Sequence, residues 1–404
     1  MIKRSNTGAV TVLKNMARVA PHPWIGAKLV KLQLEKQFFN FLYPEYSSGK
    51  ANKIRQASFR ITDICNLRCH TCGQWGGSGF LHGRDLKELK RAEVSPDRYL
   101  ELFQDLAQNG HRPITYFWGG EPMLYDGILD VIEGAAKLRM PPAIATNGTR
   151  LTQAAERLVE APLFLLQVSI DGHTAEIHNQ ARPSAGSGNN FADIAAGLET
   201  VNRVRRERGR RLPLIASLTV VHRTNYRNLT DIYQAWRDKV DMFVFYLSWW
   251  IDEDRADAHD EDFSRRFGFV PKKHRGWVGN WRPDDYQALQ AQLEALRRLS
   301  RGRGAPSVSL IPSVWGEDDL RTYYNNHGAT FGFDQCISIY QAVEVNSNGD
   351  VSPCRDYHDF VVGNVKDCTL TQLWNSPAYR RFRRSLTCDG LMPVCSRCCG
   401  LMGY

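Results

Sequence analysis

Cys65, Cys69 and Cys72, in the run Cys65-Asn66-Leu67-Arg68-Cys69-His70-Thr71-Cys72, place three thiols on one short loop with the spacing C-x3-C-x2-C. Thiolates are soft ligands, and three from one loop leave a metal site one protein ligand short. A structural zinc ion wants four protein ligands in a tetrahedron. A [4Fe–4S] cluster held by three thiolates instead keeps one iron open to a small molecule. Zinc, or thiols with no metal, are the alternatives that the spacing by itself leaves open. A second group lies near the C-terminus, where seven of the ten cysteines fall between Cys336 and Cys399. Cys336 and Cys354 flank Asn348-Gly349, a hairpin signal between two β-prone runs, so a hairpin brings both thiols together. Cys395 and Cys398 follow as a C-x2-C pair suited to a cluster, a zinc knuckle being the alternative.

The elements that must hold these loops follow the rhythm of parallel β/α units. Ser58-Phe59-Arg60-Ile61-Thr62 reads as a strand that delivers the three-cysteine loop at its C-terminal end, where α/β folds put their chemistry. Ile114-Thr115-Tyr116-Phe117-Trp118 reads as a buried strand running into Gly119-Gly120-Glu121-Pro122. Two glycines let backbone groups approach a ligand closely, and a carboxylate beside them suits a cationic amine.

Taken in order, these motifs resemble the radical S-adenosylmethionine (SAM) enzymes, whose signatures are the three-cysteine loop and a GGE-type motif after the second strand. Ala143-Ile144-Ala145-Thr146-Asn147-Gly148-Thr149 is similar to the third strand and its TNG end, and Leu166-Gln167-Val168-Ser169-Ile170-Asp171-Gly172 to the fourth strand with its S-x-D-G ending. Arg182 matches the arginine that faces the SAM carboxylate, and Leu218-Thr219-Val220-Val221-His222-Arg223-Thr224-Asn225 the fifth strand and its exit. Met242-Phe243-Val244-Phe245-Tyr246-Leu247 reads as the sixth strand, ending at Trp249-Trp250, which read equally as cavity wall or as core. The resemblance implies an α/β fold, a partial (β/α)6 TIM-like barrel in which Cys65, Cys69 and Cys72 hold a [4Fe–4S] cluster whose open iron takes SAM. Gly119, Gly120 and Glu121 then hold the SAM amino group, and Asn147, Ser169, Asp171 and Arg182 are its further contacts. The residue before the third cysteine is usually aromatic in the family; here it is Thr71, with Trp75 or the pair Phe117-Trp118 as substitutes near adenine.

The C-terminal group resembles the SPASM/twitch extension that carries an auxiliary Fe–S cluster. The spacing C-x17-C followed by C-x2-C is most similar to the shorter twitch form. This implies one auxiliary [4Fe–4S] cluster on Cys336, Cys354, Cys395 and Cys398, with Cys368 and Cys388 as spare ligands. Cys399, directly after Cys398, is left as a candidate substrate thiol. Arg397-Cys398-Cys399 resembles the C-terminal motif of radical SAM enzymes that process arsenic. In arsinothricin biosynthesis the parallel implies transfer of SAM's 3-amino-3-carboxypropyl group to trivalent arsenic. The main reading is modification of a small molecule in natural-product or secondary metabolism. A peptide maturase and a non-catalytic Fe–S or zinc protein are the others; residues 1–54 are too few for a maturase's leader-binding module.

A chain of 404 residues divides into two domains or so, here expected at 55–325 for the barrel and 326–404 for the cluster domain, after an extension over 1–54. In that extension Trp24, Ile25, Leu29, Leu32, Phe38, Phe39 and Leu42 approximate one helical face, which predicts a helix packed across the barrel. With Lys28, Lys31 and Lys36 alongside, a membrane-surface helix or a substrate lid is the alternative. Residues 252–283 read as an irregular, ordered loop or lid, acidic from Asp252 to Asp262 and basic from Arg265 to Arg275. The net charge of +9 comes largely from arginine runs at helix ends, with no interleaved aromatics, which fits a solvated surface and no nucleic-acid partner. Lys3 and Arg4 are followed by no uninterrupted apolar stretch, and no window approaches the ~20 apolar residues of a membrane span. The chain therefore reads as cytoplasmic, with a small-molecule substrate and an electron donor such as flavodoxin or ferredoxin as partners.

Overall fold

The computed structural model describes residues 22–42 and 46–402, so Lys3, Arg4 and the side chain of Leu42 lie outside the described part. Its centre is a run of parallel strands: β1 (Gln56–Thr62), β2 (Ile114–Gly119), β3 (Pro142–Thr146), β4 (Leu165–Ser169), β5 (Leu214–Val221), β6 (Met242–Leu247) and β7 (Ser307–Ile311). They pair in chain order, with helices in the connections. The six expected strands are present. β7 is an addition, a short Ser-Val-Ser-Leu-Ile alternation whose two serines dilute its apolar signal.

The sheet also continues on its other side. β8 (Ala342–Val345) pairs in parallel with β1, and antiparallel β9 (Asp350–Ser352) and β10 (Gly363–Asn364) follow it. The expected hairpin is there: β8 turns into β9 through Asn348-Gly349, with Gly349 at φ +94°, where a Cβ would lie 2.5 Å from Asn364 Oδ1. One ten-stranded sheet results, in the order β10-β9-β8-β1-β2-β3-β4-β5-β6-β7, with β10 and β7 as its edges.

Strand alternation decides which side chains face the chemistry. Phe117 stacks on Phe59 at 5.7 Å in the outer core, so of the pair Phe117-Trp118 only Trp118 faces inward. The helix Pro23–Gln37 packs against the starts of β4 and β5, with Ile25 buried against Phe164, Leu212 and Leu214. Glu35 of this helix pairs with Arg55 at 2.5 Å. Phe38 departs from the expected face and is 49% exposed, as Val30, Leu34 and Phe41 also are in part. The helix ends at Gln37, and Phe39 takes the inward position against Tyr46 and Tyr340.

Residues 252–283 are more regular than expected. They hold the helix Glu253–Phe267, capped by the Asp252 side chain and closed by Gly268 at φ +86°. Acid in the first turn and base in the last complement the helix dipole, which is why the charge blocks come in that order. Ala256, His259, Phe263 and Phe267 form its buried face, too sparse a stripe to stand out in so charged a segment.

Arg383 ties the last elements to the first. Fully buried on the helix Pro377–Cys388, it lies 4.1 Å from the Trp374 ring and 4.0 Å from the Tyr379 ring. It donates to the carbonyls of Ile339, Gly49 and Trp374 and to Asn375 Oδ1. Burial pulls its pKa down to about 10, and these acceptors are what keep the charge tolerable there. Arg383→Met should cost about 3 kcal/mol, because the carbonyls stay buried without their donor. A fall in the urea midpoint checks this, and a midpoint equal to wild type would refute it.

Candidate functional site

The loop after β1 brings Cys65, Cys69 and Cys72 to the C-terminal end of the sheet, where all three line one cavity of about 220 Å³. The two glycines explain its bed. Gly120 N donates to Thr62 O at 2.7 Å and Glu121 N to Ile64 O at 2.8 Å, so the exit of β2 runs directly under the chain that leads to Cys65. A Cβ on Gly120 would lie 2.2 Å from Ile64 O, and one on Gly119, at φ +132°, 2.4 Å from Thr62 O. Only glycine permits that approach. The loop's other side is stitched to residues 181–185, with Arg68 N donating to Pro183 O and Ala185 N to Asn66 O, both at 2.8 Å. Above it, a Cβ on Gly73 would lie 2.4 Å from the Trp277 ring, so the 252–283 segment sits on the cysteine loop.

Of the residues expected around SAM, Gly119, Gly120, Asn147, Ser169 and Arg182 line this cavity, whereas Glu121 and Asp171 are buried and bonded to two of its lining residues, Asn147 and Arg182. Glu121 is 1% exposed and accepts from Met123 N at 2.9 Å, Thr146 Oγ1 at 2.6 Å and Asn147 N at 2.6 Å. Burial pushes its carboxyl above the usual range against the pull of these donors. Asp171 accepts from Arg182 Nε at 2.7 Å and from Val220 N at 2.8 Å. Arg182 Nη1 then stands 3.7 Å from Cys69 Sγ. Thr71 lines the cavity in company with Trp75, Trp118, Trp249, Trp250 and Trp277, which makes Trp249-Trp250 wall rather than core.

Burial raises the Cys69 thiol to about 11, with Arg182 pulling the other way, and raises Cys65 as well. Such thiols give up their protons when a cation takes the protons' place, which is the donor chemistry of an iron–sulfur site. Asn66, inside the motif, was not anticipated. Its Oδ1 accepts from Asn147 Nδ2 at 2.7 Å and its Nδ2 donates to Thr149 Oγ1 at 3.1 Å, which locks the cysteine loop to the exit of β3. Nothing in the cysteine spacing marks that residue.

A larger cavity, of about 550 Å³, continues from Cys72 and Trp118 down the inside of the sheet to Leu29 of the N-terminal helix. At its flank the late cysteines gather. Burial raises Cys354, with Cys395 and Cys336 adding to it; it raises Cys395 to about 12, with Cys336 next; and it raises Cys398, with Asp356, Cys399 and Cys354 adding. The hairpin pair and the C-x2-C pair therefore stand within electrostatic reach. Among the described residues no three metal-ligating side chains are already drawn into coordination geometry. Cys388 is exposed at the end of its helix, and Cys368 lies beside Arg98 beyond β10. Cys399 lines the large cavity, and its thiol donates to Asp356 at 3.3 Å while its N–H donates to the same carboxylate at 3.1 Å. Arg355 lies over the rings of Tyr116 and Trp118 at 4.8 and 4.9 Å. Arg355, Asp356 and Glu344 escaped the sequence reading, because charged residues in and beside a hairpin look like surface.

The comparisons agree with this geometry. Residues 59–234 match the radical SAM superfamily, and residues 336–399 match SPASM, an iron-sulfur cluster-binding domain. The chain is 23% identical over 353 residues to the AdoMet-dependent heme synthase of Methanosarcina barkeri, across 85% of this chain and 89% of that one. It is 22% identical over 334 residues to the cysteine-type anaerobic sulfatase-maturating enzyme of Clostridium novyi, across 79% and 78%. Streptococcus suis SuiB bound to S-adenosylmethionine shares the fold at a TM-score of 0.55 and 15% identity, across 82% of this chain and 68% of that one. No helix among the described residues is long and apolar enough to cross a membrane. The protein is thus an enzyme that carries a radical SAM domain and a SPASM domain on one chain, and its cofactors are SAM, a [4Fe–4S] cluster and, in the SPASM domain, auxiliary Fe–S clusters.

Proposed function

We propose that the enzyme modifies a small molecule held inside the sheet, between its two cysteine groups, in the secondary metabolism of the cytoplasm. One observation carries this: a single 550 Å³ cavity has Cys72 on one wall and Cys399, the neighbour of Cys398, on another. A molecule lodged there touches both groups at once. When bound, the first cluster with SAM supplies reductive cleavage of a C–S bond and a carbon-centred radical.

The chain's own residues bind, orient and exclude water. Cys65, Cys69 and Cys72 are the ligands of the first cluster; Cys336, Cys354, Cys395 and Cys398 are those of one auxiliary cluster. The Gly119-Gly120 backbone meets the SAM amino group, Arg182 its carboxylate, and Asn147 and Ser169 its remaining polar edge. Glu121 and Asp171 are positioning residues, since their carboxylates are spent on Asn147 and Arg182. The tryptophan wall keeps water from the reacting end. A flavodoxin- or ferredoxin-type donor supplies the electron.

The Cys399 thiol favours a second reading, transfer of the 3-amino-3-carboxypropyl group of SAM to trivalent arsenic, because that soft ligand lines the cavity.

Three outcomes test these assignments. The C65A/C69A/C72A variant should lose about four iron atoms per chain and all SAM cleavage, while C354S/C398S loses a separate four or so and still binds SAM. Iron analysis and SAM titration decide it, and SAM cleavage by the triple variant would end the assignment. Asp171→Asn should weaken SAM binding about tenfold at unchanged iron content, because Arg182 loses its charged anchor; unchanged affinity would clear Asp171 of that role. Under reducing conditions with SAM, 5′-deoxyadenosine is the expected nucleoside. A switch to 5′-methylthioadenosine on adding arsenite would favour the second reading, and identical products with and without arsenite would remove it.

A further inference from the structure

The large cavity holds a carboxylate that the SAM site leaves unused. Glu344, on β8 opposite Ser58 of β1, is 4% exposed and lines the cavity. Ser58 hydrogen-bonds its carboxylate, yet Oε2 has no hydrogen-bond partner among the described residues. A buried acceptor without a donor is costly, and a carboxylate on a residue that lines a cavity is one that a ligand's donor could satisfy.

The charges around it have other partners. Arg60 turns both terminal nitrogens to His358, at 2.8 and 3.0 Å. Arg355 stacks over Tyr116 and Trp118 and has Asp356 beside it as well as Glu344. Tyr116, Tyr379 and the Cys399 thiol are further ionisable neighbours of Glu344. Burial lifts the Glu344 carboxyl to about 7, with Arg355 as the main opposing pull. Tyr246 and Trp249, which meet edge to face at 4.9 Å, line the same cavity. A carboxylate and aromatic rings lining one cavity are the chemistry that recognises an ammonium group.

We propose that Glu344 is a substrate-binding residue and that the molecule taken into this cavity carries a primary ammonium group, which donates to the Glu344 carboxylate. The proposal rests on the cavity being the substrate chamber. Calorimetric titration of the anaerobic, cluster-loaded enzyme with benzylamine, benzyl alcohol and benzoate tests it with one ring and three head groups. Benzylamine should bind about tenfold more tightly than either analogue, the worth of one charge-assisted hydrogen bond. Its affinity should rise from pH 6 to pH 8 as Glu344 ionises, because the neutral carboxyl holds no cation. Glu344→Gln should erase both the preference and the pH dependence, and Glu344→Asp should recover part of each. Binding of all three probes without an ammonium preference, or a Glu344→Gln enzyme that keeps it, overturns the proposal alone. Failure of all three to bind overturns the substrate chamber together with it.

Discussion

Glu121 is a carboxylate sealed from water, and its three donors decide where the catalytic loop begins. Met123 N comes from the turn after β2, Thr146 Oγ1 from the last residue of β3, and Asn147 N from the residue beyond. The Glu121 N–H goes to Ile64 O, one residue before Cys65. The exits of β1, β2 and β3 thus share one buried anchor. Removing any partner leaves a buried polar group unsatisfied, at about 1–3 kcal/mol. Asp171 repeats the arrangement one strand pair further on: it takes Val220 N from β5, and Asn225 Nδ2 donates to its carbonyl, so that Arg182 is aimed from a fixed base. Both acids sit behind residues that line the cavity.

The two cysteine groups are held in register by the same sheet. β8 adds to β1 through a parallel ladder over Gln56 to Phe59, and the residues after β9 then drop Cys354, Arg355 and Asp356 beside the cavity. Arg60 of β1 meets His358, and Ser347 in the hairpin turn donates to Asp63 at 2.6 Å. Hydrogen bonds thus cross from the strand that feeds the first cysteine loop to the hairpin that feeds the second. Their separation is fixed by strand register, as it would not be if a linker joined two independent bodies.

What the sequence disclosed follows from how local each signal is. The cysteine loop, the Gly-Gly turn and the Asn348-Gly349 hairpin are all set by spacing or by a backbone conformation that few residues accept, and each is where it was expected. The direction of a side chain is less local. Phe117 and Trp118 are adjacent and both aromatic, yet alternation sends one into the outer core and the other to the cavity. Glu253–Phe267 was hidden because a helix stabilised by a cap and charged ends needs only four buried side chains. Glu344 was hidden because its place in the cavity wall depends on β8 lying against β1, a contact between residues almost three hundred positions apart.

The arginine runs at helix ends were read as solvated surface, yet Arg383 of one run is buried, and arginines outside those runs lie inside the chain beside thiols. Arg182 opposes the burial of Cys69, Arg266 that of Cys395, and Arg355 that of Cys399, while Cys72 is among the charges that help keep Arg60 ionised in the interior. Buried thiolates and the iron–sulfur clusters they hold carry negative charge in a medium that solvates it poorly. A cation fixed next to a cysteine repays some of that cost, and its own burial is tolerable only because an anion is near. The potential of such a cluster depends on these neighbours as much as on its ligands. An arginine beside these thiols offsets part of that burial cost, which is why these cations lie in the interior rather than on the surface.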